Sequence, residues 1–152
     1  MDTSLSETDR KLLARAVAQA ERSFDEGGLP IGSVLARGDH VLGEGHNRRV
    51  QNTDPIAHGE MDAMRNAGRQ KSYAGTTLYT TLSPCMMCAG TIVQFRIPRV
   101  VIGENRNFGG NEAFLREHGV EVIVVDDAHC TELMARYIDE NPSLWNEDIG
   151  VA

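Results

Sequence analysis

The sequence predicts an α/β fold in which helices pack on a mixed, five-stranded sheet. The chain has 152 residues, of which 41% are hydrophobic and 24% are charged, and this composition is typical of a globular domain. Its second half alternates strand-like and helix-like segments, as in a sheet covered by helices. A turn-linked pair of strands near the start adds an antiparallel hairpin, so the sheet is mixed. We expect residues 1–152 to form a single domain.

The first predicted elements are a long helix and a hairpin. Over residues 5–26, apolar side chains recur at helical spacing, Ser4 or Ser6 can cap the start, and two glycines follow the end. Residues 31–36 and 40–45 indicate two strands that are joined by a Gly-Asp turn.

The middle of the chain adds two helices and two strands. Residues 58–67 have a helical pattern that stops at Gly68. A run rich in β-branched residues predicts a strand over residues 76–82. Residues 84–95 then indicate an apolar helix with a proline in its first turn, and residues 99–103 indicate a short strand.

The last third is predicted to contain two helices around one strand. A helix over residues 111–118, closed by a glycine, precedes a buried strand over residues 120–125. Residues 130–140 have a helical pattern, and a polar tail that contains Trp145 follows.

An imidazole and two thiols have the spacing of a zinc site. Two of the three cysteines lie three residues apart, which indicates metal or redox chemistry rather than a disulfide framework. Cys85 and Cys88 share one face of a helix, whose free N–H groups lower the pKa of a thiol. With His58 they make three zinc ligands, and the fourth tetrahedral position stays open, as in catalytic sites. Glu60 is two residues from His58, so this interpretation requires His58 to lie at the helix start.

Glu60 has the position of a proton shuttle rather than of a zinc ligand. The H-x-E motif at residues 58–60 and the P-C-x-x-C motif at residues 84–88 together form the pattern of zinc deaminases. In that chemistry a zinc-bound hydroxide attacks the ring, and the glutamate moves protons to the ring nitrogen and the departing amine. A redox pair explains the C-x-x-C motif alone but leaves the H-x-E motif without a role.

The chain resembles the cytidine deaminase superfamily and, within it, the small free-base cytosine deaminases of the fungal type. The resemblance runs through residues 27–32, 45–47, 58–60, 76–85, 103–105, 107–108 and 124–127, and it ends with Trp145 and residues 147–150. It implies a three-layer α/β/α sandwich, a homodimer and one zinc ion per subunit. It also implies hydrolysis of cytosine to uracil and ammonia within pyrimidine salvage.

The resemblance also implies a role for each matching residue. The zinc ligands would be His58, Cys85 and Cys88, and Glu60 would be the catalytic residue. Asn47 and Asp148 would hydrogen-bond the edge of the base. The implied substrate-binding residues are Ile31, Asn47, Gly59, Leu82, Ser83, Phe108, Trp145 and Asp148.

Several alternatives remain open at this point. The base could be isocytosine or a 5-substituted cytosine, and guanine and tRNA-adenosine deaminases carry the same zinc motifs. A deoxycytidylate deaminase would need a phosphate site, for which Arg48 and Arg49 are candidates. A catalytically inactive zinc-binding module is a further alternative, although such a module has no need for Glu60.

Charge and hydropathy exclude other classes of partner. The formal net charge of −7, from 15 basic and 22 acidic residues, disfavours nucleic acid as a partner. No apolar run approaches the roughly 20 residues that cross a bilayer. The first ten residues are polar and do not form a secretory signal. We therefore expect a cytoplasmic protein that binds a small nucleobase and neither nucleic acid nor a membrane.

Overall fold

In this computed structural model, which describes residues 5–151, the five predicted strands form one mixed sheet. The strands are β1 (Gly32–Arg37), β2 (His40–His46), β3 (Thr76–Leu82), β4 (Arg99–Glu104) and β5 (Glu121–Val124). Their order across the sheet is β2-β1-β3-β4-β5. Strand β1 pairs antiparallel with β2 and β3, whereas β3, β4 and β5 are parallel. The prediction of a mixed sheet is confirmed, and only the last strand is shorter than predicted.

Within the described residues, two helices occur that were not predicted. The helices are α1 (Glu7–Asp25), α2 (Arg49–Asn52), α3 (Gly59–Ala67), α4 (Met86–Gln94), α5 (Glu112–Glu117), α6 (Ala128–Glu140) and α7 (Pro142–Asp148). Helix α2 is a single turn. Helix α7 lies in the predicted polar tail, where Pro142 occupies the first turn and Trp145 is buried. A short helix with so few buried side chains has no apolar periodicity for the sequence to reveal.

Local hydrogen bonds set the ends of α1. The Ser6 side chain accepts the N–H of Asp9, and the Asp9 carboxylate accepts the N–H of Ser6, so both partners of a capping box are present. Ser4, the alternative cap, lies outside the described residues. At the other end Gly27 has a left-handed φ of 89°, and the N–H of Gly28 donates to the carbonyl of Ser23 at 2.8 Å. The predicted stop is confirmed.

The helix predicted over residues 84–95 begins later than expected. Its first residue is Met86, because Cys85 has an extended backbone with φ −69° and ψ 174°. Pro84 therefore precedes the helix instead of lying in its first turn, and Cys85 is the N-cap.

Helices cover both faces of the sheet. On one face α1 packs Leu12 and Ala16 against a core that includes Val101, and α6 lies on the same side with Cys130 close to Gly103. On the other face α3, α4 and α5 pack against a second core; among its members are Leu35, Met64, Leu78, Ile92 and Leu115. The three-layer α/β/α arrangement is confirmed. No helix within residues 5–151 combines the length and apolar character that a bilayer crossing requires.

A buried ion pair joins α1 to one end of the sheet. Arg99 at the start of β4 donates from both terminal nitrogens to the Asp9 carboxylate, at 2.8 and 2.7 Å. The hydroxyl of Tyr79 donates to the same carboxylate at 2.7 Å. The hydrogen bond from the Arg99 guanidinium lowers the pKa of Asp9 far below its usual range.

The loops that contain the predicted site residues lie at the opposite end of the sheet. Leu82 ends β3, Glu104 ends β4, and these two residues are paired in the parallel register. The chain passes from β3 to Cys85 at the start of α4, and from β4 to the loop that contains Phe108. Ligand sites of open α/β sheets lie at this carboxyl edge.

Candidate active site

His58, Cys85 and Cys88 converge at the first turns of two helices. His58 is the N-cap of α3, Cys85 is the N-cap of α4, and Cys88 lies one turn into α4. The Nδ1 atom of His58 is 3.4 Å from the Cys85 sulfur and 3.7 Å from the Cys88 sulfur. The three donor atoms lie within 4.8 Å of one another. One imidazole and two thiols at this spacing fit one zinc ion and leave a coordination position free.

The extended backbone at each helix start lets these side chains face one another. His58 has φ −73° and ψ 159°, so it lies outside the regular helix that begins at Gly59. The sequence required His58 to lie at the helix start, because two residues within one helix at this spacing would point to opposite sides. The structure meets this requirement, since Glu60 lies within the helix and His58 does not. Both side chains reach the same cavity.

The charges of the cluster are strongly coupled. Hydrogen bonds from Cys88 and His58 outweigh burial and lower the pKa of Cys85 to about 4. The thiol of Cys88 has a raised pKa, because it faces the Cys85 thiolate and is buried. Burial opposes a charge on His58, but Cys85 and Asp148 raise its pKa to about 9. Cys85 is therefore the thiol that is most readily ionised.

Glu60 faces the cluster from the first turn of α3. Its side chain is almost completely buried, and this burial, with the charge of Cys85, raises its pKa to about 7. A carboxyl group with this pKa can both accept and release a proton near neutral pH. The buried carboxyl is therefore suited to general acid and base chemistry.

A small cavity joins the cluster to the predicted substrate contacts. Its volume is only about 10 Å³, so the space between the side chains is nearly closed. Its lining residues are Ile31, His58, Glu60, Leu82, Ser83, Cys85, Phe108, Asp148 and Ile149. Of these, Ile149 was not predicted. So small a space disfavours a ligand larger than a single heterocyclic ring.

Four predicted site residues lie beside the cavity rather than among its lining. Cys88 is fully buried in the first turn of α4, and Gly59 lies against the carbonyl of Ile31. Asn47 is fully buried next to Asp148. Trp145 packs edge-on against Phe108, with 6.3 Å between ring centroids and an angle of 85° between the rings.

Asp148 is held by groups from distant parts of the chain. Its Oδ1 atom accepts a hydrogen bond from the Asn47 amide at 3.1 Å and lies 3.4 Å from Nε2 of His58. The side chain is 4% exposed, and burial raises its pKa. The contact between Asp148 and His58 therefore links the C-terminal helix to the imidazole that lies near both thiols.

Two carboxylates near the cavity, the buried Glu104 and the half-buried Glu112, were missed in the sequence. Glu104 accepts the backbone N–H groups of Arg106 and Asn107 at 2.8 and 3.0 Å, and so shapes the loop before Phe108. Glu112 accepts the hydroxyl of Ser83. Glu104 had a visible signal, because it is an acidic residue at the end of an apolar strand; Glu112 had none.

The two arginines considered as a phosphate site, Arg48 and Arg49, are already paired with carboxylates of the chain. Nε of Arg48 donates to Asp62 at 3.0 Å. Arg49 donates to the carbonyl of Pro55 and lies 3.9 Å from Oδ1 of Asp148. These pairings disfavour a phosphate-bearing substrate.

Comparison with known proteins identifies the sequence family. Residues 6–104 match the model of the cytidine and deoxycytidylate deaminase zinc-binding region. The cytosine deaminase of Candida albicans is 54% identical over 145 residues, which are 93% of this chain and 97% of that protein. A tRNA-specific adenosine deaminase of Streptococcus pyogenes serotype M18 is 36% identical over 105 residues, which are 66% of each chain.

A solved structure agrees with the sequence matches. It comes from a study of A-to-I editing by tRNA:A34 deaminases, it is 28% identical, and its TM-score is 0.67 over 76% of this chain and 97% of that chain. The predicted family is thereby confirmed, and the histidine and two thiols are consistent with the zinc of that family. The chain belongs to the cytidine and deoxycytidylate deaminase family of zinc-binding proteins.

Proposed function

We propose that the chain is a single-domain, zinc-dependent cytosine deaminase, which hydrolyses cytosine or a close aminopyrimidine to uracil and ammonia. The observation that carries the proposal is the small cavity in which Glu60 and the His-Cys-Cys cluster meet Asp148 and Phe108. The 54% identity to a cytosine deaminase over almost the full chain supports the same substrate. Isocytosine and 5-substituted cytosines are the closest alternative bases.

Three side chains would hold the zinc ion. Nδ1 of His58 and the sulfurs of Cys85 and Cys88 are the donors, because they face one another. Zinc, when bound, supplies a Lewis acid that makes water a nucleophile near neutral pH. The two thiols carry the negative charge that balances the ion.

Glu60 would move the protons of the reaction. Hydrolysis adds one water to the base and releases one ammonia, so both protons of the water must move, one to the ring nitrogen and one to the departing amine. The buried carboxyl of Glu60 would accept the first proton from the water and pass it to the ring nitrogen. It would then accept the second proton from the hydroxyl group of the adduct and pass it to the amine, which leaves as ammonia. Its position on the wall of the cavity gives it access to both.

Asp148 and Asn47 would read the edge of the base. The Asp148 carboxylate can accept a ring N–H, and the Asn47 amide has a second N–H for a ring carbonyl after it donates to Asp148. Phe108 offers an apolar face to the ring, and Trp145 supports Phe108 from behind. The apolar side chains of Ile31, Leu82 and Ile149 complete the enclosure.

We also propose that the protein is a cytoplasmic homodimer. Ile56, Met86 and Phe95 are about half exposed, at 54%, 54% and 48%, near the starts of α3 and α4 and at the end of α4. Phe95 also lines a groove, whose other members include Met61, Met64, Arg65, Arg69, Tyr73 and Thr91. Large exposed apolar groups of this kind mark protein interfaces. Unpaired thiols are suited to a reducing compartment such as the cytoplasm.

Ammonia release from a panel of substrates tests the proposed activity. The zinc-loaded protein is incubated separately with cytosine, isocytosine, cytidine, guanine and a tRNA. We expect release from cytosine and at most weak release from cytidine, guanine and tRNA. Robust turnover of tRNA or cytidine, with none of any free base, would overturn the proposal.

A tRNA-adenosine deaminase is the second candidate, because such an enzyme is 36% identical over two thirds of the chain. Charge opposes it. Helices α6 and α7 contain Glu132, Asp139, Glu140, Glu147 and Asp148 against Arg136 alone, and the whole chain carries −7. An acidic C-terminal surface repels a polyanion.

A further inference from the structure

Arg49 connects the loop after β2 to the last turn of α7. Its side chain is 16% exposed. Nε donates to the carbonyl of Pro55 at 3.1 Å and lies 3.9 Å from Oδ1 of Asp148. A terminal nitrogen of the same guanidinium is 3.6 Å from Glu147. One cation thus faces two successive carboxylates of the C-terminal helix.

The backbone of Arg49 fixes the neighbouring amide. Its N–H donates to Oδ1 of Asn47 at 3.0 Å, so the nitrogen of that amide faces Asp148 at 3.1 Å. A flipped amide would lose both hydrogen bonds. The main chain of Arg49 therefore orients Asn47, and its side chain lies beside Asp148; these are the two groups that would hydrogen-bond the base.

Helix α7 needs a cation at this end. Glu147 and Asp148 lie in its last turn, where the helix dipole disfavours negative charge. Asp148 also lies inside the protein, with 4% of its side chain exposed. A carboxylate buried at a helix C-terminus requires compensating charge. His58 lies 3.4 Å from Oδ1 of Asp148, and Arg49, at 3.9 Å, is the second cation beside it.

We infer that Arg49 is a positioning residue, which keeps α7 seated over the cavity and orients Asp148 and Asn47 towards the base. The inference rests on the proposed function for its substrate. It assigns no chemical step to Arg49, because the guanidinium is not among the groups that line the cavity. A loss of seating weakens ground-state and transition-state binding alike, so it raises KM more than it lowers kcat.

The test compares Arg49→Gln with two other variants in the zinc-loaded full chain. Arg49→Lys keeps a positive charge. Arg15→Gln is the matched control, because it removes the ion pair between Arg15 and Glu44, which joins α1 to β2 away from the cavity. Each protein is measured by steady-state kinetics with cytosine and by hydrogen exchange of the α7 amides without substrate.

For Arg49→Gln we expect KM to rise about tenfold or more, with kcat within about threefold of the wild type. We expect faster exchange in α7 and unchanged exchange in β3. Arg49→Lys recovers most of the affinity, and Arg15→Gln behaves as the wild type. If Arg49→Gln does not fold, Glu147→Gln replaces it. The Glu147 side chain is 61% exposed, and its loss is expected to raise α7 exchange alone.

Unchanged KM and α7 exchange in Arg49→Gln would overturn the inference, as would equal effects in Arg15→Gln. A failure of the proposed function is distinguishable from these results. In that case the wild type releases no ammonia from cytosine, while the exchange measurement, which needs no substrate, still decides whether Arg49 seats α7.

Discussion

Glu60 is the side chain to which the proposed mechanism assigns proton transfer. It lies in the first turn of α3, one residue after the helix start, and its carboxyl group is buried beside Cys85 and His58. It is not in the set of donors that face one another, which consists of His58, Cys85 and Cys88. Metal binding and proton transfer are therefore assigned to different residues, and a substitution can separate them.

Glu60→Gln is expected to abolish deamination while zinc stays bound. The amide keeps the size of the side chain but cannot accept or release the proton, so kcat should fall by about 10²- to 10⁴-fold. The measurement combines ammonia release with zinc content by atomic emission. Glu112→Gln, which alters a carboxylate that contacts Ser83, is the comparison and should lose far less activity. Loss of zinc from Glu60→Gln would contradict the division of roles.

The helix starts are the elements that build the site. Residues 58 and 85 are both extended N-caps, and this shared geometry brings an imidazole to two thiols across 27 residues of sequence. The cluster could be predicted because the paired H-x-E and P-C-x-x-C motifs are those of zinc deaminases, not because local spacing joins them. The same spacing misplaced the start of α4, since an extended residue before a helix has no distinct sequence pattern.

Contacts between residues far apart in the chain could not be predicted from local sequence patterns. Asp148 meets Asn47 across 101 residues, and nothing near either residue indicates the other. The resemblance to a family suggested both residues, but not the arginine between them. Helix α7 was missed for a related reason, because it depends on the burial of Trp145 against Phe108 and not on its own periodicity.

The contact between Phe108 and α7 predicts a fluorescence change. Trp145 is the single tryptophan of the chain and is 7% exposed. Phe108→Ala removes the ring that covers it, so its emission should shift to longer wavelength and KM for cytosine should rise about tenfold. Phe95→Ala, an exposed ring remote from α7, should leave the emission unchanged. An unshifted spectrum in Phe108→Ala would show that the two elements are not in contact.

The ion pair between α1 and the sheet predicts a pH-dependent stability. Asp9→Asn should lower the free energy of unfolding by about 2–3 kcal/mol at pH 7, because the carboxylate is buried and paired. The folded-state pKa of Asp9 is lowered, so its contribution is complete above the unfolded pKa of about 3.9 and is lost as the pH falls below it. The difference between variant and wild type should therefore shrink in acid.

Urea denaturation at pH 7 and at lower pH measures this difference. Asp126→Asn is the control, because Asp126 pairs with Arg106 on the exposed surface, where solvent screens the ion pair and its contribution to stability is small. Equal destabilisation by both substitutions, or a difference that grows in acid, would contradict the role of Asp9.

The surface of the subunit predicts its assembly. Exposed apolar side chains lie at both ends of α4, on the sheet face opposite α1. Phe95→Glu places a charge in this patch and should convert a particle of twice 16.7 kDa into one of 16.7 kDa in light scattering. Ala14→Glu, on the exposed side of α1, should leave the mass unchanged. A wild-type protein that is monomeric at micromolar concentration would refute the dimer.

The fold and the site together support one central claim, which is a single zinc ion with three protein ligands beside a small, nearly closed cavity. X-ray absorption at the zinc edge tests it most directly. We predict one zinc per chain with two sulfur neighbours at about 2.3 Å and one protein nitrogen at about 2.0 Å. A site saturated by four protein ligands, or zinc that remains bound after Cys85 and Cys88 are both replaced by serine, would contradict the account.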